Sequence, residues 1–490
     1  MAQTKRVLAV DFGASGGRVM GAAFDGARIT LHELHRFANE PVTVRGTMYW
    51  DVLRLFHEIK QGLLKARDFG AASIGMDTWG VDFGLLDADG ALLENPVHYR
   101  DGRTAGMMEE AFRLLPKETL YARTGTQFLA LNTAFQLLAL KKKRPALLAR
   151  AETLLLMPDL LNYMLTGERC AETSIASTTQ LFDAQGGTWA QDVIEAFGLP
   201  ARIFPRIVPA GTQVGRIEEV LADELGIARL PVIAVAGHDT QSAMAAVPAA
   251  HEPFVFLSCG TWSLLGTELS APILTEAARR AAFTNERGYG GRVSFLQNII
   301  GLWLVQESRR QWMREGHAYG FGELEKMARA AEPFAALVDP DASDFVAAGD
   351  LPKRIRAYCA RTGQNVPERV GAVVRCIDES LALKYRAALE RLETLVPAVR
   401  GADIHIVGGG VQSALLCQMT ANACGRRVVA GPVEATVMGN VLVQLLAAGD
   451  LRLEEAREVV RRSEVCTVYE PMDTEAWTAA FKRWEEIVSC

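Results

Sequence analysis

Little in the chain would staple, anchor or strongly charge it. Eight cysteines are scattered through 490 residues, and none sits in a C-x-x-C pair. A reducing, cytoplasmic setting is the expectation, and a chain of this length needs no staple to build its core. Cys359 and Cys376 could approach one another. There is no excess of basic charge: the net charge is -6, which gives no electrostatic case for nucleic acid or an anionic membrane. The basic run Lys141-Lys142-Lys143-Arg144 reads as a solvated helix end. No apolar run is long enough to span a bilayer, since His238 and Asp239 interrupt the stretch from Pro231 to Ala250. The opening Met-Ala-Gln-Thr-Lys-Arg runs straight into a strand-like segment, with no signal-peptide core expected. No Gly-Lys dipeptide occurs, so there is no Walker A loop. There is no H-E-x-x-H, and the eight histidines do not cluster as zinc ligands. Low-complexity segments and repeats of 20–50 residues are also missing.

What remains is the composition of an ordinary globular protein, 49% hydrophobic and 22% charged. Its length suggests two to four domains. The chain is organised around Leu8-Ala9-Val10-Asp11-Phe12-Gly13-Ala14-Ser15-Gly16-Gly17-Arg18. Val7 to Val10 has strand length, Asp11 falls where that strand would end, and a second strand-like run, Val19 to Phe24, leaves the turn. A glycine-rich turn between antiparallel strands can expose several backbone N–H groups, and such concave clusters bind anions. Asp11 at the rim is placed to hold Mg²⁺, directly or through water. An ordinary tight hairpin accounts for the same letters.

A third strand follows Asp25-Gly26. Asp51 can cap a helix with apolar positions Val52, Leu55, Phe56, Ile59 and Leu63. Ser73 to Asp77 reads as a buried strand, Leu131 to Leu140 and Leu154 to Leu165 as helices, and Leu230 to Ala236 as a buried strand ending in Gly237-His238-Asp239-Thr240. A second strand, glycine turn, strand unit runs from Phe254 through Gly260-Thr261 to Thr267. It suggests two related α/β domains, 1–244 and 245–490, with a cleft between them and the final helices, about 450–490, packing back on the first. Gly301 to Met313 and Cys376 to Leu395 read as helices, and Ile404 to Val407 as a strand. Gly408-Gly409-Gly410 would open the next helix, and Val441 to Ala448 is a helix after a turn at Gly439-Asn440.

Four constellations carry chemistry. The two glycine turns could hold the β- and γ-phosphates of a nucleotide. The triple glycine lets a flat base or a phosphate come close, although Ser413 spoils a Rossmann fingerprint. Asp239, at the end of a central strand, is placed to take a proton from a sugar hydroxyl. It equally fits an N-cap before Thr240-Gln241-Ser242-Ala243, and spacing alone favours the cap. Trp79, Gly80, His98, Arg100, Asp101 and Asn298 form a polar and aromatic set suited to a polyol, though Trp79 also fits the core and Arg100 with Asp101 an ion pair. Gly13-Ala14-Ser15-Gly16-Gly17 matches the nucleophile elbow G-x-S-x-G, which makes a serine hydrolase using Ser15 the rival from another class; that elbow requires a helix after the serine.

The order of Asp11-x-Gly13 with Arg18, Asp77-Thr78-Trp79-Gly80-Val81-Asp82, Tyr99-Arg100-Asp101-x-Arg103, Met157-Pro158-Asp159, Gly237-His238-Asp239-Thr240, Ser258-x-Gly260-Thr261-Trp262-Ser263 and Gly408-Gly409-Gly410 resembles the FGGY carbohydrate kinases. So do Thr284-Asn285-Glu286, Asn298-Ile299-x-Gly301-Leu302-Trp303 and Gly431-Pro432-Val433-Glu434-Ala435-Thr436. The resemblance runs from Val7 to about Tyr469. It implies two actin-like ATPase (ribonuclease H-like) domains with mixed central sheets, and ATP-dependent phosphorylation of L-rhamnulose at O1. Fuculose, xylulose or glycerol are the alternative acceptors. It implies Asp239 as the proton acceptor and Ala14, Ser15, Gly16, Gly17 and Arg18 as the first phosphate loop. Thr261, Gln306 and Gly408 would be the other nucleotide contacts. Gly80, His238, Thr240 and Asn298, with Asp239, would contact the sugar, and Asp11 would hold Mg²⁺. The expected partners are the sugar and ATP, with no nucleic acid and no membrane, in a monomer or homodimer. Gly16 and Gly237 stand where the family often has serine, which leaves the sugar less sharply specified.

Overall fold

In the computed structural model, which describes residues 4–489, the chain opens with strands β1 (Lys5–Gly13), β2 (Gly16–Phe24) and β3 (Ile29–Ala38). Helix α1 (Val52–Lys65) and strands β4 (Ile74–Thr78), β5 (Thr212–Arg216) and β6 (Pro231–Ala234) follow, then helix α2 (Asp239–Ala245). Later come β7 (Val255–Cys259), β8 (Trp262–Leu269), β9 (Thr284–Arg287) and β10 (Val293–Ile300). Helices α3 (Trp303–Arg314) and α4 (Val370–Leu395) lead to β11 (Ile404–Val407), α5 (Ala414–Cys424), β12 (Val428–Ala430), α6 (Ala435–Ala447) and β13 (Thr467–Tyr469).

One six-stranded sheet has the order β5-β6-β4-β1-β2-β3, and a seven-stranded sheet has the order β9-β10-β8-β7-β11-β12-β13. The two share a plan. In each, an antiparallel hairpin, β1–β2 or β7–β8, has a parallel strand, β4 or β11, on the open side of its first member. A further parallel strand, β6 or β12, comes next. β1 is buried from Val7 to Phe12, as a strand covered on both faces must be. α1 buries Val52, Leu55, Ile59 and Leu63 as one stripe, and Asp51 caps it by accepting from Arg54 N–H at 3.3 Å.

The compact units are discontinuous in sequence. One comprises Met1–Ala246, Glu268–Phe295 and Ala435–Ser463; the other comprises Val247–Thr267, Leu296–Glu434 and Glu464–Cys490. Among the described residues no helix is long and apolar enough to cross a membrane.

Three local expectations need correction. Leu154 begins no helix: Thr153–Leu156 is a strand paired with Phe83–Leu86, and the helix runs from Met157 to Thr166. Pro158, which has no N–H to donate, sits in its first turn and sets its start. Gly408-Gly409-Gly410 does not open a helix directly. A 3₁₀ turn spans Gly409–Gln412, and α5 starts after Ser413, whose hydroxyl accepts from Leu416 N–H. Gly439-Asn440 is no turn but the middle of α6. A Cβ at Gly439 would collide with the Ser242 carbonyl oxygen of α2, so the glycine serves helix contact.

Candidate active site

In the first unit, the β1–β2 hairpin closes through Ala14 and Ser15, with Gly13 paired to Gly16. A strand, not a helix, follows Ser15, so the nucleophile-elbow geometry is missing and the serine-hydrolase reading is overturned. Asn39 clamps the turn: its Nδ2 donates to Gly13 O at 3.0 Å and its N–H to Ser15 O at 3.3 Å. Gly17 is required by packing, since a Cβ there would strike the Phe37 ring, which lies edge-on to Phe12. Arg18, opposite Asp11 across the hairpin, donates to Asp11 Oδ2 from Nε at 3.0 Å and from an Nη at 2.8 Å.

Asp77 is the register partner of Asp11 on the parallel strand β4 and is 0% exposed. Its Oδ2 accepts from Asn440 Nδ2 of α6 at 2.6 Å. Its Oδ1 meets no N–H or O–H donor. Burial first, and the charge of Asp11 next, push this carboxyl well above the ordinary carboxylate range. Both effects favour its neutral form.

The segment after β6 carries the pair His238-Asp239. Glu172, itself buried, accepts from Gly237 N–H at 2.9 Å, and Ser174 Oγ accepts from His238 N–H at 3.2 Å. The His238 ring binds Glu286 Oε2 through Nδ1 at 2.9 Å, and its Nε2 lies 3.4 Å from Asp239 Oδ1. That same Nε2 lines the surface at Gly80, where a Cβ would come within 3.4 Å of it. His238, not Asp239, is the N-cap residue of α2, without a side-chain cap, which corrects the capping expectation. Asp239 Oδ1 instead accepts from Thr240 N–H at 2.6 Å and Thr240 Oγ1 at 3.2 Å. The Asp239 side chain is 30% exposed. Burial pushes its carboxyl up to about 6, against the pull of the His238 charge. Burial disfavours the His238 cation, but Glu286, helped by Asp239 and Glu172, raises the ring to about 9.

The expected polyol set is partly assembled. Trp50, which no motif singled out, lies 4.1 Å from both the Trp79 and His98 rings and stacks on His98 at 23°. Burial pushes His98 down to about 3. Its Nδ1 accepts from Arg100 N–H, so the neutral ring carries its proton on Nε2. Asp101 accepts from Met48 N–H and Arg103 N–H, while the Arg100 guanidinium lies over the Tyr99 ring.

In the second unit, three expected nucleotide contacts converge at the end of β7. Thr261 Oγ1 donates to Gln306 Oε1 at 3.1 Å. The Gly260–Thr261 turn accepts N–H groups from Gly301, Leu302 and Trp303 at the start of α3. Gly408, at φ 85°, has room for a Cβ only 3.3 Å from Cys259 O, and a Cβ on Gly410 would strike the Cys259 sulfur. Asn298 stands on β10. Cys359 and Cys376 are both free, buried thiols, and they lie close enough to influence one another's ionisation.

Sequence reasoning gave no role to Asp77, Asn440, Glu172 or Glu286. The partners of Asn440 and Glu286 lie 363 and 48 residues away, and no local pattern signals such a contact.

Comparison with known proteins yields two matches to family models. The FGGY family of carbohydrate kinases, N-terminal domain, matches residues 6–246, and the C-terminal domain of the same family matches 255–448. The chain is 42% identical over 484 residues to a rhamnulokinase of Bacteroides thetaiotaomicron, covering 98% of this chain and 99% of that one. It is 40% identical over 459 residues to a rhamnulokinase of Oceanobacillus iheyensis, covering 93% and 96%. A crystal structure of gluconate kinase from Lactobacillus acidophilus superposes with a TM-score of 0.79 at 16% identity, covering 99% of this chain and 98% of that one. At that identity the likeness speaks for the fold.

Proposed function

The chain belongs to the FGGY family of carbohydrate kinases, and from that premise we propose that it transfers the γ-phosphoryl group of ATP to O1 of L-rhamnulose. Asp239 is the general base in this reading. The observation that carries it is the Asp239 carboxylate, which is partly open to solvent while both Thr240 hydrogen bonds and the His238 contact fall on Oδ1. Oδ2 can then take the proton of the acceptor hydroxyl as the O–P bond forms. A base poised near 6 is ionised at neutral pH and still basic enough to help. Gly80, His238, Thr240 and Asn298 hold the sugar. Ala14, Ser15, Gly16, Gly17 and Arg18 hold the phosphates, and Thr261, Gln306 and Gly408 hold the nucleotide. In this division 1–244 supplies the phosphate contacts and the sugar contacts other than Asn298, and 245–490 supplies Asn298 and the nucleotide site.

Among the described residues no three His, Cys, Asp or Glu side chains gather as a metal site. Asp11, with one oxygen taken by Arg18 and the buried Asp77 as its neighbour on β4, suits a hydrated Mg²⁺ that travels with the phosphates, the binding mode in which one carboxylate suffices. When bound, the ion would neutralise charge on the β- and γ-phosphates. A cytoplasmic monomer or homodimer completes the proposal, supported by seven free cysteines among the described residues.

ADP release, measured across L-rhamnulose, L-fuculose, D-xylulose and glycerol, tests the assignment. The expected result is turnover stimulated most by L-rhamnulose and reduced about 10²–10⁴-fold in Asp239→Ala. Sugar-independent ATP hydrolysis, or full turnover in Asp239→Ala, would overturn it.

A further inference from the structure

We propose that Glu286 is a positioning residue for phosphoryl transfer, fixing the His238 ring so that a second ring proton faces the Asp239 carboxylate and the surface at Gly80. The inference rests on the assignment of Asp239 as the base.

Glu286 sits on β9 and is 4% exposed. Its Oε2 accepts from Gln241 Nε2 at 2.9 Å as well as binding His238 Nδ1 at 2.9 Å. Gln241 is in turn oriented by Ser294 of β10, whose hydroxyl donates to Gln241 Oε1 at 2.7 Å. A chain of contacts therefore runs Ser294, Gln241, Glu286, His238, Asp239, all within the first unit. The backbone of His238 is pinned separately through Ser174, so the Glu286 contact acts on the ring.

A buried carboxylate is expensive unless it is paired. Pairing it with imidazole rather than with arginine leaves a partner that has a second N–H to present. With Nδ1 committed to Glu286, that second N–H is on Nε2, 3.4 Å from Asp239 Oδ1. The charged groups facing His238 are Glu286 from β9, Glu172 from the Ala171–Glu172 strand, and Asp239 on its own helix; all three favour the cation. The cation stabilises ionised Asp239 against burial and against the charge of Asp11. Replacing Glu286 by glutamine removes the group that does most to hold the cation. His238 then titrates lower, and Asp239 loses its nearest positive charge and titrates higher.

The experiment compares wild type, Glu286→Gln, Glu286→Asp and Asp239→Ala in kcat and kcat/KM for L-rhamnulose between pH 5 and 9. Wild type should lose kcat/KM as pH falls through about 6. Glu286→Gln should move that limb upward by about one pH unit and lower kcat about tenfold, with KM for ATP unchanged. Glu286→Asp should hold the limb near the wild-type position. A fall in kcat with an unmoved limb would reduce Glu286 to a structural residue. If Asp239→Ala itself stays active, it is the base assignment that fails. One measurement needs no substituted enzyme to be active: in wild-type protein labelled with ¹⁵N-histidine, the His238 ring, assigned by its loss in His238→Gln, should carry both protons at pH 8. A neutral ring at that pH would overturn the proposal even if every variant at Glu286 failed to fold.

Discussion

Asp82 gathers donors from Trp50, Trp79, Tyr99 and Gln136 onto one carboxylate. It is fully buried, and its Oδ2 accepts from Trp50 Nε1 at 2.6 Å, Trp79 Nε1 at 3.1 Å and Tyr99 N–H at 3.1 Å. Its Oδ1 accepts from Gln136 Nε2 at 3.0 Å. Burial pushes the carboxyl up to about 6, against the N–H donors that favour its charge. Asp82→Ala leaves these donors buried and unpaired, and losing one partner of a buried charged network costs about 3–5 kcal/mol. Urea unfolding of Asp82→Ala should show a loss of that size; a wild-type midpoint would contradict it. The residue stood in plain view beside Trp79 in the sequence. Its work did not, because Trp50 and Gln136 lie 32 and 54 residues away.

Helix α6 shows how an element can be misread for a physical reason. Glycine followed by asparagine usually marks a turn, yet here Gly439 faces neighbouring backbone and Asn440 a buried carboxyl. Gly439 lets α6 lie against Ser242 of α2, and Asn440 reaches Asp77 on β4. Gln444, one turn on, donates to Leu8 O and to Asn440 Oδ1, and accepts from Ser73 Oγ. Gly439→Ala should therefore push α2 away, and α2 begins at Asp239. Overpacking of this kind costs about 1–3 kcal/mol. The expected outcome is a lower thermal midpoint together with a lower kcat/KM for the sugar; an unchanged midpoint and unchanged kinetics would show that the helices have slack. By contrast the hairpin β1–β2, helix α1 and strand β11 fall where the pattern puts them, because apolar runs of strand length, a 3.6-residue stripe and a capping aspartate are signals contained within each segment.

Across the whole molecule, the buried acids set a direction for stability against pH. Burial holds Asp77 and Asp159 well above the ordinary range, raises Glu172, and lifts Asp378 to about 8. His238 is lifted to about 9. Each binds its proton more tightly folded than unfolded, so each contributes stability at low pH that is lost as pH rises through its folded value. The opposing cases are Glu276, held near 2 by Arg279 and Arg280, and His98, pushed down to about 3 by burial; neither changes stability appreciably above about pH 7. The urea midpoint should therefore fall between pH 7 and pH 9, and a midpoint that rises across that interval would contradict the assignment. The sequence alone determined the family, the two echoing strand-turn-strand units and the place of Asp239, since these rest on letters adjacent in the chain. Only the tertiary structure decided that burial raises the Asp77 carboxyl, that Asn440 and Glu286 serve Asp77 and His238, and that residues 435–463 group with the first unit. Burial and contact are set by groups far apart in sequence, and a carboxyl has no fixed charge until its surroundings are in place.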